Sequence, residues 1–542
     1  MGIPSFYRHL VRRYPRLVGG GSGPAAEWLC LDFNCAMYQV LRSQPAWPMA
    51  GGAPAQAAWE ANFREAICAY MRELVTVARP THGVFVGCDG VVCAAKRRQQ
   101  RLRRFKGPWA SRAEATVRAA AVVTVGADGE VVDDVTTTGG SWDSTALTPG
   151  TAFMEALGED LQRAGADLKA WTGLEVIVST TAEPGEGEHK LMAAMRARKP
   201  HSCTIYGLDA DLILLALLLD AETGCDVILM REAQEFENRD AGEGFRHLVI
   251  QDLGNVLAGG SAGRAERIRD YVASMTLLGN DFLPRSLTRT VRDDGIPALL
   301  DVLRREVWAA RRSIVCPTSG RLLREGMATV VRSWATLEET DMLRAVDGAL
   351  AVRGARGRVP SGKEGDIAEE ELAAWQVLPS RWCSLGRLKS VKTGGLLPTW
   401  RSIVREKWGA GADARAYLEG VAWVWDYYSG RAPVCQGWVY DRHLPPLWGD
   451  VLAGLEASEA TPHLDAPSVR YATGLTPWVH LLAVLPAESV RRLLPVERQG
   501  LLVSASWYWP TEWSLFDVGR TQMWECEPVL PLIPEAVLRR LA

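Results

Sequence analysis

Seven acidic residues in five separated segments carry most of the chemical information in this chain. They are Asp32 in WLCLDFN, Asp89 in GVFVGCDG, Glu186 and Glu188 in PGEGEHK, Asp209 and Asp211 in YGLDADL, and Asp281 in LLGNDFLP. Hard divalent cations such as Mg²⁺ take oxygen ligands, use one or two carboxylates apiece and act on substrate phosphates. Seven convergent carboxylates would suit two metal ions and a phosphodiester. Taken singly, each has a plainer reading. An Asp after a strand caps a helix or shapes a turn, and Glu186 and Glu188 would sit well in a solvated first helical turn. Explaining away the whole set requires five such accidents at once.

A second constellation lies in VVCAAKRRQQRLRRFKG, from Val91 to Phe105 and just beyond. As a helix, it puts Lys96, Gln100, Arg103 and Arg104 on one face by their i, i+4, i+7 and i+8 spacing, and Arg97, Arg98 and Arg101 on the other. A charge run alone reads as a solvated face. Its place just after Asp89 points instead to a terminal phosphate, held by guanidinium forks, an ammonium charge and an amide donor.

Such residues can act together only if the fold gathers them. Trp28 to Leu31, Gly83 to Val86, Leu174 to Val178 and Cys203 to Tyr206 are short apolar runs followed by Gly, Asp or Asn, as buried parallel strands are. Helix-length amphipathic stretches, Trp59 to Ala78 and Thr151 to Trp171, lie between them. The alternation predicts an α/β domain with a doubly wound, largely parallel sheet. Ligands bind beyond the carboxyl ends of such strands. Four of the five acidic segments fall there, and Asp281 follows the helical stretch Ala265 to Leu278.

Gly19 to Pro24 and Gln44 to Pro54 read as loops, and Val122 to Val132 as a hairpin insertion around Asp128-Gly129. Arg353 to Glu371 is charged and poor in large apolar residues, so it reads as a linker. The expected organisation is a domain over 1–352, a linker over 353–372 and a second region over 373–542. Of the 21 tryptophans, 13 lie from Trp375 onward, which predicts a helix-rich, tryptophan-rich region packed against the first domain.

The 542 residues can bury a large core. Lys plus Arg number 61 and Asp plus Glu 64, a net charge of −3, so nucleic-acid affinity would have to come from a local groove. Eleven cysteines without a C-x-x-C pair argue for packing thiols in a reducing compartment and against a zinc ribbon or disulfide framework. The longest apolar stretch, Leu212 to Leu219, is too short for a bilayer, and no signal peptide opens the chain. An intracellular, non-membrane monomer is expected, with cytoplasm and nucleus undistinguished.

These motifs resemble the XRN family of 5′→3′ exoribonucleases. MGIPSFYRHLVRRYP resembles that family's amino terminus and CDGVVCAAKRRQQRLRRF its phosphate-pocket helix. WDSTALTPGTAFM, EPGEGEHKLM, IYGLDADLILLAL, LMREAQEF and LLGNDFLP follow in the family's order. The likeness continues in AYLEGVAWVWDYYSG, QGWVYDRHLPPLWGDVL, LLAVLPAESVRRLLP, WYWP and MWECEPVLPLIPEAVL. It implies a PIN/FEN-like 5′ nuclease core with both conserved regions and no downstream domains.

The resemblance also implies roles. Asp32, Asp89, Glu186, Glu188, Asp209, Asp211 and Asp281 match the family's metal-site carboxylates. Lys96, Gln100, Arg103 and Arg104 match its 5′-monophosphate pocket, and Lys96 would also touch the scissile region. Where the family has a base-stacking histidine, this chain has Tyr38, which keeps an aromatic face; stacking is worth about 1–3 kcal/mol per base. Trp438 and Trp524 are candidates for a second stacking residue, and core packing is the plainer reading of each. His189 reads as structural. The implied cofactor is Mg²⁺ as two ions, with Mn²⁺ as a substitute. The implied partner is single-stranded RNA bearing a 5′-monophosphate, cut to mononucleotides. Two alternatives stay open. One is a structure-specific flap-type DNA nuclease, although no Gly-rich helix–hairpin–helix pattern follows Asp281. The other is an inactive RNA-binding scaffold, although such a chain would be free to lose its carboxylates.

Overall fold

The computed structural model describes residues 6–48, 51–125, 142–233, 244–356, 384–457, 461–468, 475–493, 500, 502–503 and 505–541. Its centre is a seven-stranded sheet of β1 (Val18–Gly20), β2 (Trp28–Asp32), β3 (Gly83–Gly87), β4 (Glu175–Ser179), β5 (Ser202–Tyr206), β6 (Asp226–Glu232) and β7 (Phe245–Val249), in the order β1-β7-β6-β5-β2-β3-β4. From β6 to β4 the pairing is parallel, and β7 and β1 close the other edge antiparallel. All four predicted strands are present within a residue or two. The chain runs outward from β2 through β3 to β4, then restarts on the other side with β5 and β6. The strand order therefore reverses between β2 and β5, where a doubly wound sheet opens a crevice.

Alternation along the strands builds two cores. Leu29, Leu31, Val84, Val86 and Tyr206 face helices α2 (Phe33–Arg42), α3 (Gly52–Ala78) and α5 (Ala152–Thr172). Cys30, Phe85, Cys203 and Ile205 face α6 (Gly187–Arg198), α7 (Asp211–Thr223) and α9 (Arg264–Met275). The segment LILLALLL is apolar all round, as a helix enclosed on every side must be, and every residue of α7 from Asp211 to Asp220 is buried. The helix numbering counts α1 (Phe6–Arg13), α4 (Ala94–Val125) and α8 (Ile250–Ala258) in chain order.

The tryptophan-rich region contributes α12 (Arg415–Ser429), α13 (Trp448–Glu456) and α14 (Pro477–Val484), following α10 (Gly295–Val302) and α11 (Arg324–Arg356). Tyr417, Val421, Trp423, Val424 and Trp448 share one core with β5 and α7. The cysteines of the described residues are free, and most are buried packing thiols. Among those residues, no helix is long and apolar enough to cross a membrane.

Four local expectations differ. Gly19 and Gly20, expected in a loop, form part of β1 on the sheet edge, pairing with His247 and Arg246. Helix α3 begins at Gly52, inside the expected Gln44–Pro54 loop, because Pro54 falls in its first turn, where no backbone donor is needed. Val122 to Val125 are the end of α4; the rest of the expected hairpin lies outside the described residues. Helix α11 continues through Arg356, so 353–356 are helical, and the remainder of the expected linker also lies outside them.

Candidate active site

Asp32 ends β2, Asp89 follows β3, Glu186 and Glu188 open α6 after β4, Asp209 follows β5 and Asp211 opens α7. All six therefore stand at the carboxyl edge of the sheet. Asp281 arrives from a separate turn, where the Asn280 side chain accepts hydrogen bonds from the backbone N–H of Phe282 and Leu283, both at 2.9 Å. A close backbone approach brings the β3 and α6 segments together. A Cβ on Gly187 would sit 2.6 Å from the Gly87 carbonyl oxygen, so only glycine fits there. Gly187 N–H in turn donates to Asp89 Oδ1 at 2.8 Å.

Lys96, reaching in from the first turn of α4, is the central cation. Its ammonium is 2.5 Å from Glu186 Oε2 and 3.0 Å from Asp281 Oδ2. Burial alone would pull its pKa down, but Glu186, Asp281, Glu188 and Asp211 hold it well above the ordinary lysine value. The carboxylates feel one another as strongly. Burial, then Asp209, Asp89 and Asp211, push Asp32 well above the usual carboxylate range. Burial and Asp211 do the same to Glu188, and burial and Asp281 push Asp211 up to about 7. The structure thus brings all seven predicted carboxylates into one electrostatic cluster.

Two buried oxygens in that cluster, Glu188 Oε2 and Asp211 Oδ1, have no hydrogen-bond partner. Such oxygens are costly unless something positive meets them. Together with the acidic surroundings they fit a divalent cation. Glu186, Glu188 and His189 each offer a ligand atom, all within 4.8 Å of one another. Burial, then Lys96 and Arg196, lower His189 to a pKa of about 3, so its ring is neutral. The ring packs against Tyr427, with centroids 4.0 Å apart and planes tilted by 37°.

Along α4, Gln100 and Arg104 lie a turn and two turns beyond Lys96. Arg104 donates to Gln100 Oε1 at 3.4 Å and to Thr148 Oγ1 at 2.8 Å. Burial lowers its pKa to about 10, which leaves it cationic at neutral pH; Tyr38 and Asp89 are close enough to act on that charge. Arg103 is exposed. The other face of the helix is not a solvated one. Arg101 is buried, donates to the carbonyls of Ala483 and Tyr508, and lies over the Phe105 ring. Lys106 caps the carbonyls of Trp524 and Cys526. So α4 is clamped between the carboxylates and the second region.

The aromatic candidates separate. Tyr38 is on α2 and 39% exposed. Trp438 is partly buried and stacked on Trp423 with centroids 4.7 Å apart. Trp524 is 56% exposed with the Arg292 guanidinium over its ring. Sequence reasoning missed Tyr427, whose hydroxyl donates to Glu186 Oε1, and Thr148, which holds Arg104. The Tyr-Tyr pair at the end of VWDYYSG was visible, but nothing in the sequence pairs it with an acid more than two hundred positions away.

Comparison with known proteins agrees with this geometry. Residues 1–233 match the family model described as XRN 5'-3' exonuclease N-terminus. The chain is 30% identical over 362 residues to 5'-3' exoribonuclease 2 of Saccharomyces cerevisiae, covering 56% of this chain and 35% of that protein. Against 5'-3' exoribonuclease 2 of Eremothecium gossypii it is 28% identical over 392 residues, 61% of this chain and 40% of that protein. Against human 5'-3' exoribonuclease 1 the alignment covers 99% of this chain and 34% of that protein at 25% identity. The chain thus spans about a third to two fifths of the length of these curated relatives. The matched amino-terminal residues carry six of the seven clustered carboxylates together with Lys96 and its neighbours, and over them the chain is similar to the XRN family.

Proposed function

We propose that this protein is a 5′→3′ exoribonuclease that removes mononucleotides from single-stranded RNA bearing a 5′-monophosphate. The observation that carries the reading is the cluster itself: seven carboxylates from five segments, two with unpartnered buried oxygens, beside a cationic helix face. Asp32, Asp89, Glu186, Glu188, Asp209, Asp211 and Asp281 would together hold two Mg²⁺ ions. When bound, these ions supply activation of a water and charge stabilisation at the leaving 3′ oxygen.

The chain's own groups do the rest. Gln100, Arg103 and Arg104 would grip the terminal phosphate, with Arg104 pre-set by Thr148. Lys96 lies one helical turn closer to the carboxylates, where its charge would meet the first phosphodiester. Only a chain end can place a phosphate on Arg104 while the next linkage reaches the acids, and this sets the direction of digestion. Tyr38, close enough to act on the Arg104 charge, would stack on the terminal base, which favours unpaired strands.

The test is a time course on single-stranded RNA labelled at either end, with 5′-monophosphate or 5′-hydroxyl, in Mg²⁺ or EDTA. Early release of labelled mononucleotide from the 5′-monophosphate end, in Mg²⁺ only and abolished in Asp209→Ala, is expected. Internal cuts at duplex junctions would indicate a flap-type nuclease instead, and binding without cleavage a scaffold.

A further inference from the structure

We infer that Tyr427 is a positioning residue for the metal site: its hydroxyl, delivered by the second region, fixes the Glu186 carboxylate. The inference rests on the metal-site reading above and names a residue that this reading does not require. Glu186 is held at both oxygens. Lys96 meets Oε2 at 2.5 Å, and the Tyr427 hydroxyl donates to Oε1. A carboxylate can only accept, so the phenol is the donor.

The ring that carries this hydroxyl is packed among aromatic neighbours. Trp423 stacks on it, with centroids 4.9 Å apart and planes 16° apart, and the His189 ring lies against it, tilted by 37° with centroids 4.0 Å apart. Phe282, next to Asp281, meets it edge-on at 5.3 Å. Trp423 is anchored in turn: its indole N–H donates to the Cys435 carbonyl at 2.9 Å, and Trp438 stacks behind it. The backbone beside Cys435 also ties to the cationic helix, where Ala94 N–H donates to the Gln436 carbonyl at 2.8 Å.

A column of rings, Trp438, Trp423, Tyr427 and His189, therefore runs from the second region to the first turn of α6, where both Glu186 and Glu188 sit. If the ring served only for packing, Phe would do as well and the hydroxyl would have no purpose. Groups that orient metal ligands typically matter 10- to 100-fold in metal affinity or activity. A glutamate has three side-chain torsions to fix, so an unheld Glu186 would spend part of its time turned away from the cluster.

The test is Mn²⁺ binding to RNA-free protein, by calorimetry or the loss of the free-ion electron paramagnetic resonance signal, for wild type, Tyr427→Phe, Glu186→Gln and the double variant. Tyr427→Phe should bind Mn²⁺ about 10-fold more weakly, with an unchanged circular dichroism spectrum. In the Glu186→Gln background the same substitution should have little further effect, because Tyr427 acts through Glu186. Trp423→Phe, which thins the column and keeps the hydroxyl, should shift affinity the same way by a smaller factor. Wild-type affinity in Tyr427→Phe, or full additivity in the double variant, would overturn the inference while leaving the metal site intact. No Mn²⁺ binding by the wild type would overturn both together.

Discussion

Replacing Lys96 by Met removes the ammonium that pairs with Glu186 and Asp281 while roughly keeping the volume of the side chain. At 2.5 and 3.0 Å, the two ion pairs to Glu186 and Asp281 each correspond to about 5–7 kcal/mol of gross attraction at an effective dielectric of about 20. Desolvation of the buried charges offsets several kcal/mol of this, and breaking a buried pair from one side costs about 3–5 kcal/mol in practice. The predicted loss in the metal-free protein at pH 8 is therefore about 3–5 kcal/mol, measured as a shift in urea unfolding. The loss should shrink on acidification to pH 5.5, where Asp211, raised to about 7, is protonated and no longer needs a counter-charge. Saturating Mg²⁺ should also reduce it. A Lys96→Met protein as stable as wild type at pH 8 in EDTA, or one whose deficit is the same at both pH values, would refute the electrostatic reasoning.

The cluster also predicts the pH dependence of the metal-free wild type. Asp211 is raised from an ordinary 3.8 to about 7, so the folded state binds protons that the unfolded state releases. That contribution is fully present below about pH 4 and lost as pH rises through 7, so melting in EDTA should fall over this window, and Mg²⁺ should recover more stability at pH 8 than at pH 6. A flat profile in EDTA would count against it. Arg104→Ala should weaken the preference for 5′-monophosphate over 5′-hydroxyl RNA by roughly 10-fold or more, about what one charge-assisted hydrogen bond is worth; equal rates on both ends with intact protein would defeat the phosphate pocket. Gly187→Ala forces a Cβ against the Gly87 carbonyl. It should destabilise by about 1–3 kcal/mol and depress turnover, because Glu186 and Glu188 flank it; a neutral effect in both assays would show that the segments can part freely.

Much of the arrangement was legible because strand ends and chemistry coincide. WLCLD, GVFVG and SCTIY announce buried parallel strands by their apolar runs. Once they lie side by side, the acids that follow them are neighbours whatever their separation in sequence. The edge strands were not legible: β1 is two glycines and a valine, with no side-chain pattern to read, and β7 interleaves Arg246 and His247 with its apolar residues. The rear of α4 was misleading for a different reason. Arg97, Arg98 and Arg101 look like solvent-facing charge, yet Arg101 is buried because carbonyls of the second region accept its hydrogen bonds. Tertiary partners from four hundred residues away decide that, and composition cannot show them. Trp438 reads from sequence as a core residue more readily than as a free stacking platform. Its stack on Trp423 selects the core side of that choice.

The account depends above all on the grouped carboxylates being a metal site. Titration of the RNA-free, metal-stripped protein with Mn²⁺, followed by calorimetry, tests it most directly. Two ions per chain, with at least one lost in Asp211→Asn, is the predicted result; a protein that takes up no Mn²⁺, or takes it up equally well without the Asp211 charge, would contradict it.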